Sequence, residues 1–372
     1  MNLPRASWLM LLAVTLMPDQ SRCGEPAHVP ILTDAQAWKT LPPVETGLGR
    51  PLPVWIRALA VSLPKTAAAM IDLDHAQRAE SSLPPRLRAR LRWIAADANR
   101  CPYARAYARA DYVWAGGPAE DLDNLSQRLD QLPETERLAL QFVRQLCLAA
   151  YSVSDAQVAR LVELYGEKQV VAMVLVAAYA NFQDRLLLAL GVGVEPNGPL
   201  PPVEVRFRQS PTEARAARRK KEALAKKEAS AKKAASTNKD ASAKKEEKAP
   251  KRKLSPPVKN PPPLPERMDD PEWTAIPFDS LRQRLTEQMG RRQARISVPD
   301  AAAVLKSFPE KLPKPDDAEL LIRWSRLNYA YQPRLTMAWF AGLDAFHEES
   351  DLDMAFHESM FWVVTRSLQC FY

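Results

Sequence analysis

The sequence predicts an all-α protein. A helical domain occupies residues 30–205, a basic linker residues 206–267, and a shorter helical segment residues 268–372. Three observations carry this prediction. Glycine is scarce, at 11 of 372 residues, while alanine and leucine abound, a balance that favours helix over sheet. Apolar residues recur at helical spacing behind a series of prolines. One run in the middle is rich in Lys, Ala and Glu and has no apolar face, so it cannot bury a core.

The elements follow in chain order. Residues 1–23 read as an export signal: Arg5 gives a positive start, and Ala6 to Met17 form an apolar stretch too short to span a bilayer. Ser21-Arg22-Cys23 offers a cleavage site, and Cys23 is alternatively a lipoprotein cysteine. The expected location is therefore outside the cytoplasm, in the periplasm or envelope. Pro64 opens a helix to about Ser81, Pro85 opens the next, and Pro102 a third that stops at Gly116-Gly117. Proline suits the first turn of a helix, where its missing N–H costs nothing. Further helices are expected at Glu134–Tyr151, Ser154–Tyr165 and Lys168–Leu190, with Ser154 as an N-cap. The run Val170–Ala180 is nearly all apolar, but Asn181, Gln183, Asp184 and Arg185 interrupt it, so it reads as a buried helix rather than a membrane span.

The net charge of +8 is unevenly spread. Between Pro211 and Asn260, 17 Lys or Arg face 6 Asp or Glu, a local +11, which leaves −3 for the rest of the chain. The linker ends in Asn260-Pro261-Pro262-Pro263-Leu264-Pro265, which favours an extended spacer. A tether to an anionic surface is the alternative. No aromatic residue is interleaved in the basic stretch, so specific nucleic-acid recognition is not expected.

An ungapped shift of 269 residues superposes two segments. It pairs Trp55 with Trp324, Pro64 with Pro333, Glu80-Ser81 with Glu349-Ser350, Trp93 with Trp362, Cys101 with Cys370 and Tyr103 with Tyr372. Both copies should bury equivalent helix faces. The second copy stops at Tyr372, just past its cysteine, and the expectation is a sequence cut short of a longer protein.

The four cysteines, Cys23, Cys101, Cys147 and Cys370, are too few for a disulfide framework, and no spacing of cysteine and histidine fits a metal site. No cofactor is expected. Cys147 lies in a largely apolar run and reads as core. Cys101 precedes Pro102, which places it at a helix N-terminus, where free amides and the helix dipole favour a thiolate. The plainer reading is an inert buried cysteine. Cys370 holds the same place in the second copy.

Trp93-Ile94-Ala95-Ala96-Asp97-Ala98-Asn99-Arg100-Cys101-Pro102-Tyr103 resembles the helix and turn that lead to the Cys-x-x-Cys of the carboxymuconolactone decarboxylase/AhpD-like (alkylhydroperoxidase) superfamily. So does Trp362-Val363-Val364-Thr365-Arg366-Ser367-Leu368-Gln369-Cys370-Phe371-Tyr372, and residues 152–201 are similar to the family's closing helices. The resemblance implies an AhpD-like helical domain followed by a partial second copy. It also implies a redox pair of cysteines three apart, a glutamate twelve residues before the first, and a histidine after the pair. One thiolate attacks a peroxide, and the second resolves the sulfenic acid.

Both copies depart from that pattern. In the first, the positions of the second cysteine, the glutamate and the histidine are Ala104, Ala89 and Ala108, so Cys101 is a degenerate equivalent. In the second, Glu358 stands twelve residues before Cys370, and the resolving cysteine would fall at the position after Tyr372. The expected function is a thiol-dependent peroxidase-like oxidoreductase of peroxiredoxin or alkylhydroperoxidase type. Cys370 is its nucleophile and Glu358 its proton relay. A peroxide or disulfide is the substrate and an unidentified thiol the electron donor, in a homo-oligomer. The alternatives are a non-catalytic helical interaction protein with a basic tether and, ranked last, a lactone decarboxylase.

Overall fold

The computed structural model describes residues 27–221, Ala225 and residues 294–367. The predicted signal peptide, Cys23, Cys370, and residues 226–267 of the predicted linker lie outside the described residues.

The first domain is built as its prolines require. Helix α1 (Asp34–Thr40) is held by a capping box between Thr33 and Gln36. Helix α2 spans Val54–Leu59. Helices α3 (Pro64–His75), α4 (Pro85–Ala98) and α5 (Pro102–Trp114) each start on the predicted proline. Helix α3 runs on into a π-helical turn, Ala76–Glu80, so the helix expected to about Ser81 changes its winding partway. Helices α6 (Glu134–Ala149), α7 (Asp155–Tyr165) and α8 (Glu167–Leu190) complete the domain. Ser154 Oγ accepts from the Gln157 amide at 3.2 Å, as an N-cap should.

Helix α8 is long and apolar enough to cross a membrane by length and composition, but it is mostly buried inside the protein. It serves two apolar clusters. One gathers Trp55, Ile56, Met70, Leu73, Tyr103 and Tyr179. The other gathers Leu91, Ile94, Leu125, Leu140, Leu161 and Met173. Each aliphatic side chain so buried contributes roughly 1.5–3 kcal/mol.

The boundary expected at residue 206 needs correction. Strand β2 (Arg206–Phe207) pairs antiparallel with β1 (Val44–Thr46), a small ladder inside an otherwise helical fold. A further helix, α9, follows over residues 211–221. It was read as linker because it has no apolar stripe, but ion pairs with the second segment hold it. Buried Arg215 meets Glu319 and Asp344, Arg218 meets Asp344, and Arg219 meets Asp316.

The second segment comprises α10 (Ala301–Ser307), α11 (Asp317–Leu321), α12 (Arg323–Tyr331), α13 (Pro333–Glu349) and α14 (Met354–Ser367). Helix α14 begins and ends 269 residues after α4, and α13 covers the same register as α3 with its π-helical turn. Helix α12 starts 269 residues after α2.

Helices α3 and α13 pack against each other, and Leu335 and Ala338 join the first apolar cluster. At Gly342 an added Cβ would sit 2.2 Å from the end of the Met70 side chain, so the two helices approach closely there. The polar contacts exchange between equivalent positions. Glu349 accepts from the Lys65 and Thr66 amides at 2.7 and 2.8 Å, at the start of α3. Glu80, 269 residues earlier, accepts from Arg334 Nε at 2.8 Å, at the start of α13. Arg334 also forms a fork with Asp72 at 2.9 and 2.6 Å.

Candidate functional site

Cys101 stands where the sequence puts it. Helix α4 ends at Asn99, Arg100 takes a left-handed φ of 54°, and Cys101 is the N-cap of α5. The turn is closed by the Cys101 amide donating to the Ala96 carbonyl at 2.9 Å. The expected thiolate does not follow from this position. Cys101 is 1% exposed. Burial, reinforced by the charge of Asp184, pushes its thiol up to about 11, and the Ala104 and Tyr103 amides and Arg92 do not make up the difference. At pH 7 the thiolate fraction is then about one in ten thousand.

Asp184 is the centre of this environment. It is fully buried on α8 and accepts from Arg92 on α4, with Nη1 at 3.1 Å, and from Asn99 Nδ2 at 2.9 Å. Arg92 Nη2 also reaches Gln183 Oε1 at 2.9 Å. Cys147 is half-buried against the second apolar cluster, and burial raises its thiol to about 12, in keeping with a core role.

Next to Cys101 lies a cavity of about 30 Å³, room for one or two waters. Ala89, Ala104 and Ala108 all line it, from α4 and α5. Its polar wall is a network that the sequence did not reveal. Arg78 donates to Asp111 at 2.9 and 2.8 Å and to Asp74 at 3.2 Å. Burial works against the charge of Arg78, but the two carboxylates outweigh it and hold the guanidinium above its usual range. Tyr179 donates to Asp74 at 2.7 Å, and burial followed by that carboxylate raises the phenol well above normal. Arg88 completes the wall. The one sequence signal of this network was the interruption of the apolar run at Gln183 and Asp184.

The cavity therefore holds fixed charges and methyl groups. It contains no thiol pair, and the guanidiniums and tyrosines facing it keep their protons at neutral pH. The chemistry available to it is hydrogen bonding and charge compensation. Iodoacetamide is accordingly expected to leave Cys101 unmodified in the native protein at pH 7 and to label it after unfolding, as read by mass spectrometry of the tryptic peptides.

The other predicted residues lie elsewhere. Glu358 is exposed on α14 and takes no part in the first cavity. Cys370 lies outside the described residues, so the structure does not bring the two together. Among the described residues no group of three His, Cys, Asp or Glu is arranged to hold a metal ion. Helix α14 exposes Phe356, Met360, Phe361, Trp362, Val363 and Val364, each about half or more of its surface.

No family model matches the chain, and no curated protein matches it by sequence.

Proposed function

We propose that the chain is an AhpD-like helical protein whose first copy is chemically silent and whose second copy carries a thiol-dependent peroxidase reaction. The observation that carries this reading is the convergence of Ala89, Ala104 and Ala108 on one cavity. These are the positions the resemblance assigns to the relay glutamate, the second cysteine and the histidine. A site emptied of its reactive groups keeps its geometry there, beside a cysteine at a helix N-terminus.

In the second copy Cys370 is the nucleophile and Glu358 the proton relay. The Cys370 thiolate attacks a peroxide oxygen. An S–O bond forms, the O–O bond breaks, and the alcohol leaves with a proton from the relay. A thiol donor then returns the sulfenic acid to the thiol with loss of water. Cys101 takes no part, because its environment keeps it protonated. The reading retains an exported protein and a homo-oligomer as proposals.

The test is peroxide consumption by the full chain with excess dithiothreitol, compared with Cys370→Ser. The wild type should turn over at least about tenfold faster, the low end of what an activated nucleophile contributes. Equal rates would sink the proposal, and Cys101→Ser should leave the rate unchanged.

A second reading, a non-catalytic interaction protein, is favoured by the apolar surface of α14. It predicts concentration-dependent association in sedimentation with no Cys370-dependent turnover. Attachment to an anionic surface through the basic run draws less support. Arg215, Arg218 and Arg219, its first arginines, already pair with acidic residues of the second segment.

A further inference from the structure

The register that pairs Cys101 with Cys370 also maps the wall of the first cavity onto α13 and α14. Arg78 corresponds to His347, Arg88 to His357 and Ala89 to Glu358. The exchange changes what the wall can do. A guanidinium holds charge but does not release its proton in a protein, whereas an imidazole gains and loses one near neutral pH. The first wall is fixed in charge, and its counterpart is built from groups that move protons.

The histidines are already together. Their rings meet edge to face with centroids 4.7 Å apart, and Phe346 packs against both, at 6.2 and 6.1 Å. His357 Nδ1 is buried and makes no hydrogen bond. A buried ring nitrogen left unpaired costs about 1–3 kcal/mol, so it is a group that a proton donor or acceptor would satisfy. Among the described residues, the charged neighbours along the chain are Glu358 and Asp353 on the side of His357. On α13 they are Glu348, which pairs with Lys65 and Arg218, and Glu349, which caps α3.

We infer that His347 and His357 form the proton-handling pair of the second copy's thiol site, working with Glu358 on the reaction of Cys370. This rests on the reading given under Proposed function. The pair takes the proton from the Cys370 thiol. The thiolate sulfur then bonds to one peroxide oxygen as the O–O bond breaks. The pair returns the proton to the departing alkoxide, giving a sulfenic acid and an alcohol. Two equivalents of an added thiol reduce the sulfenic acid back to the thiol, yielding their disulfide and water.

The experiment measures peroxide consumption by the full chain with dithiothreitol between pH 5 and pH 9. It compares the wild type, His347→Gln/His357→Gln, His357→Asn and Cys370→Ser. The double variant should lose at least about tenfold in the Cys370-dependent rate. It should also lose the inflection expected near an imidazole's ordinary pKa of about 6.5. Histidines that only pack α13 on α14 would lower the melting temperature and leave the shape of the profile intact. If the double variant does not fold by circular dichroism, the single variant decides by the same two readouts. A variant that keeps the wild-type rate and profile overturns the inference while leaving Cys370 in its role. Consumption that does not depend on Cys370 at all overturns both.

Discussion

Replacing Asp184 with alanine is expected to cost about 3–5 kcal/mol of folding stability, because it leaves a buried guanidinium with no counter-charge. Arg92 is largely buried, and its strongest partner is this carboxylate. Asn99 would lose an acceptor in the same step. Thermal or urea unfolding measures the loss. A second readout separates this cause from a simple cavity. Asp184 is one of the two main influences that raise the Cys101 thiol, and Arg92 is one that lowers it. Removing the carboxylate tips that balance, so in the folded variant the Cys101 pKa should fall below about 11 and its alkylation should speed up at pH 8–9. A variant that loses stability with no change in thiol reactivity would show that Asp184 does not act on Cys101 electrostatically. The raised thiol also has a sign in the pH dependence of stability. A folded-state pKa above the unfolded one favours the native protein below about pH 9, and that contribution is lost as pH rises from about 9 through about 11.

Arg215→Ala is expected to be the second most damaging substitution, at about 3 kcal/mol, by the same logic of a broken buried pair. Arg215 and Glu319 are both buried, and Asp344 accepts from Arg215 Nε at 2.9 Å. The guanidinium also lies 4.8 Å from the centre of the Phe340 ring, so the substitution removes packing as well as charge. Arg215→Lys keeps the charge but loses the fork, and should recover only part of the loss. Limited proteolysis between residues 206 and 221, compared across the three proteins, reads the consequence locally. Unchanged protection in Arg215→Ala would mean that α9 is held by something other than these ion pairs.

These two positions also mark where the sequence was readable and where it was not. Pro64, Pro85, Pro102 and Ser154 announced their helices, because an N1 proline and an N-cap hydroxyl act within one turn of where they stand. Cys101 was placed at its helix N-terminus for the same local reason. Its protonation depends on Asp184, 83 positions further along the chain, and on burial that no neighbouring residue reports. Helix α9 was taken for linker because an apolar stripe was the only docking signal sought. Its arginines instead find Asp316, Glu319 and Asp344 about a hundred residues or more away. The change of winding at Ala76–Glu80 leaves no mark in the spacing of apolar residues. The convergence of Ala89, Ala104 and Ala108 needed the packing of α4 on α5 to be seen.

The exchanged contacts between α3 and α13 have a kinetic consequence. Lys65 meets Glu349 as Arg334 meets Glu80, the pattern of a two-fold handshake, yet both hands belong to one polypeptide. Such a contact closes by a first-order step, at an effective concentration set by the covalent connection rather than by the amount of protein present. Dilution therefore cannot open it. An assembly of intact chains that keeps this contact must recruit a different surface.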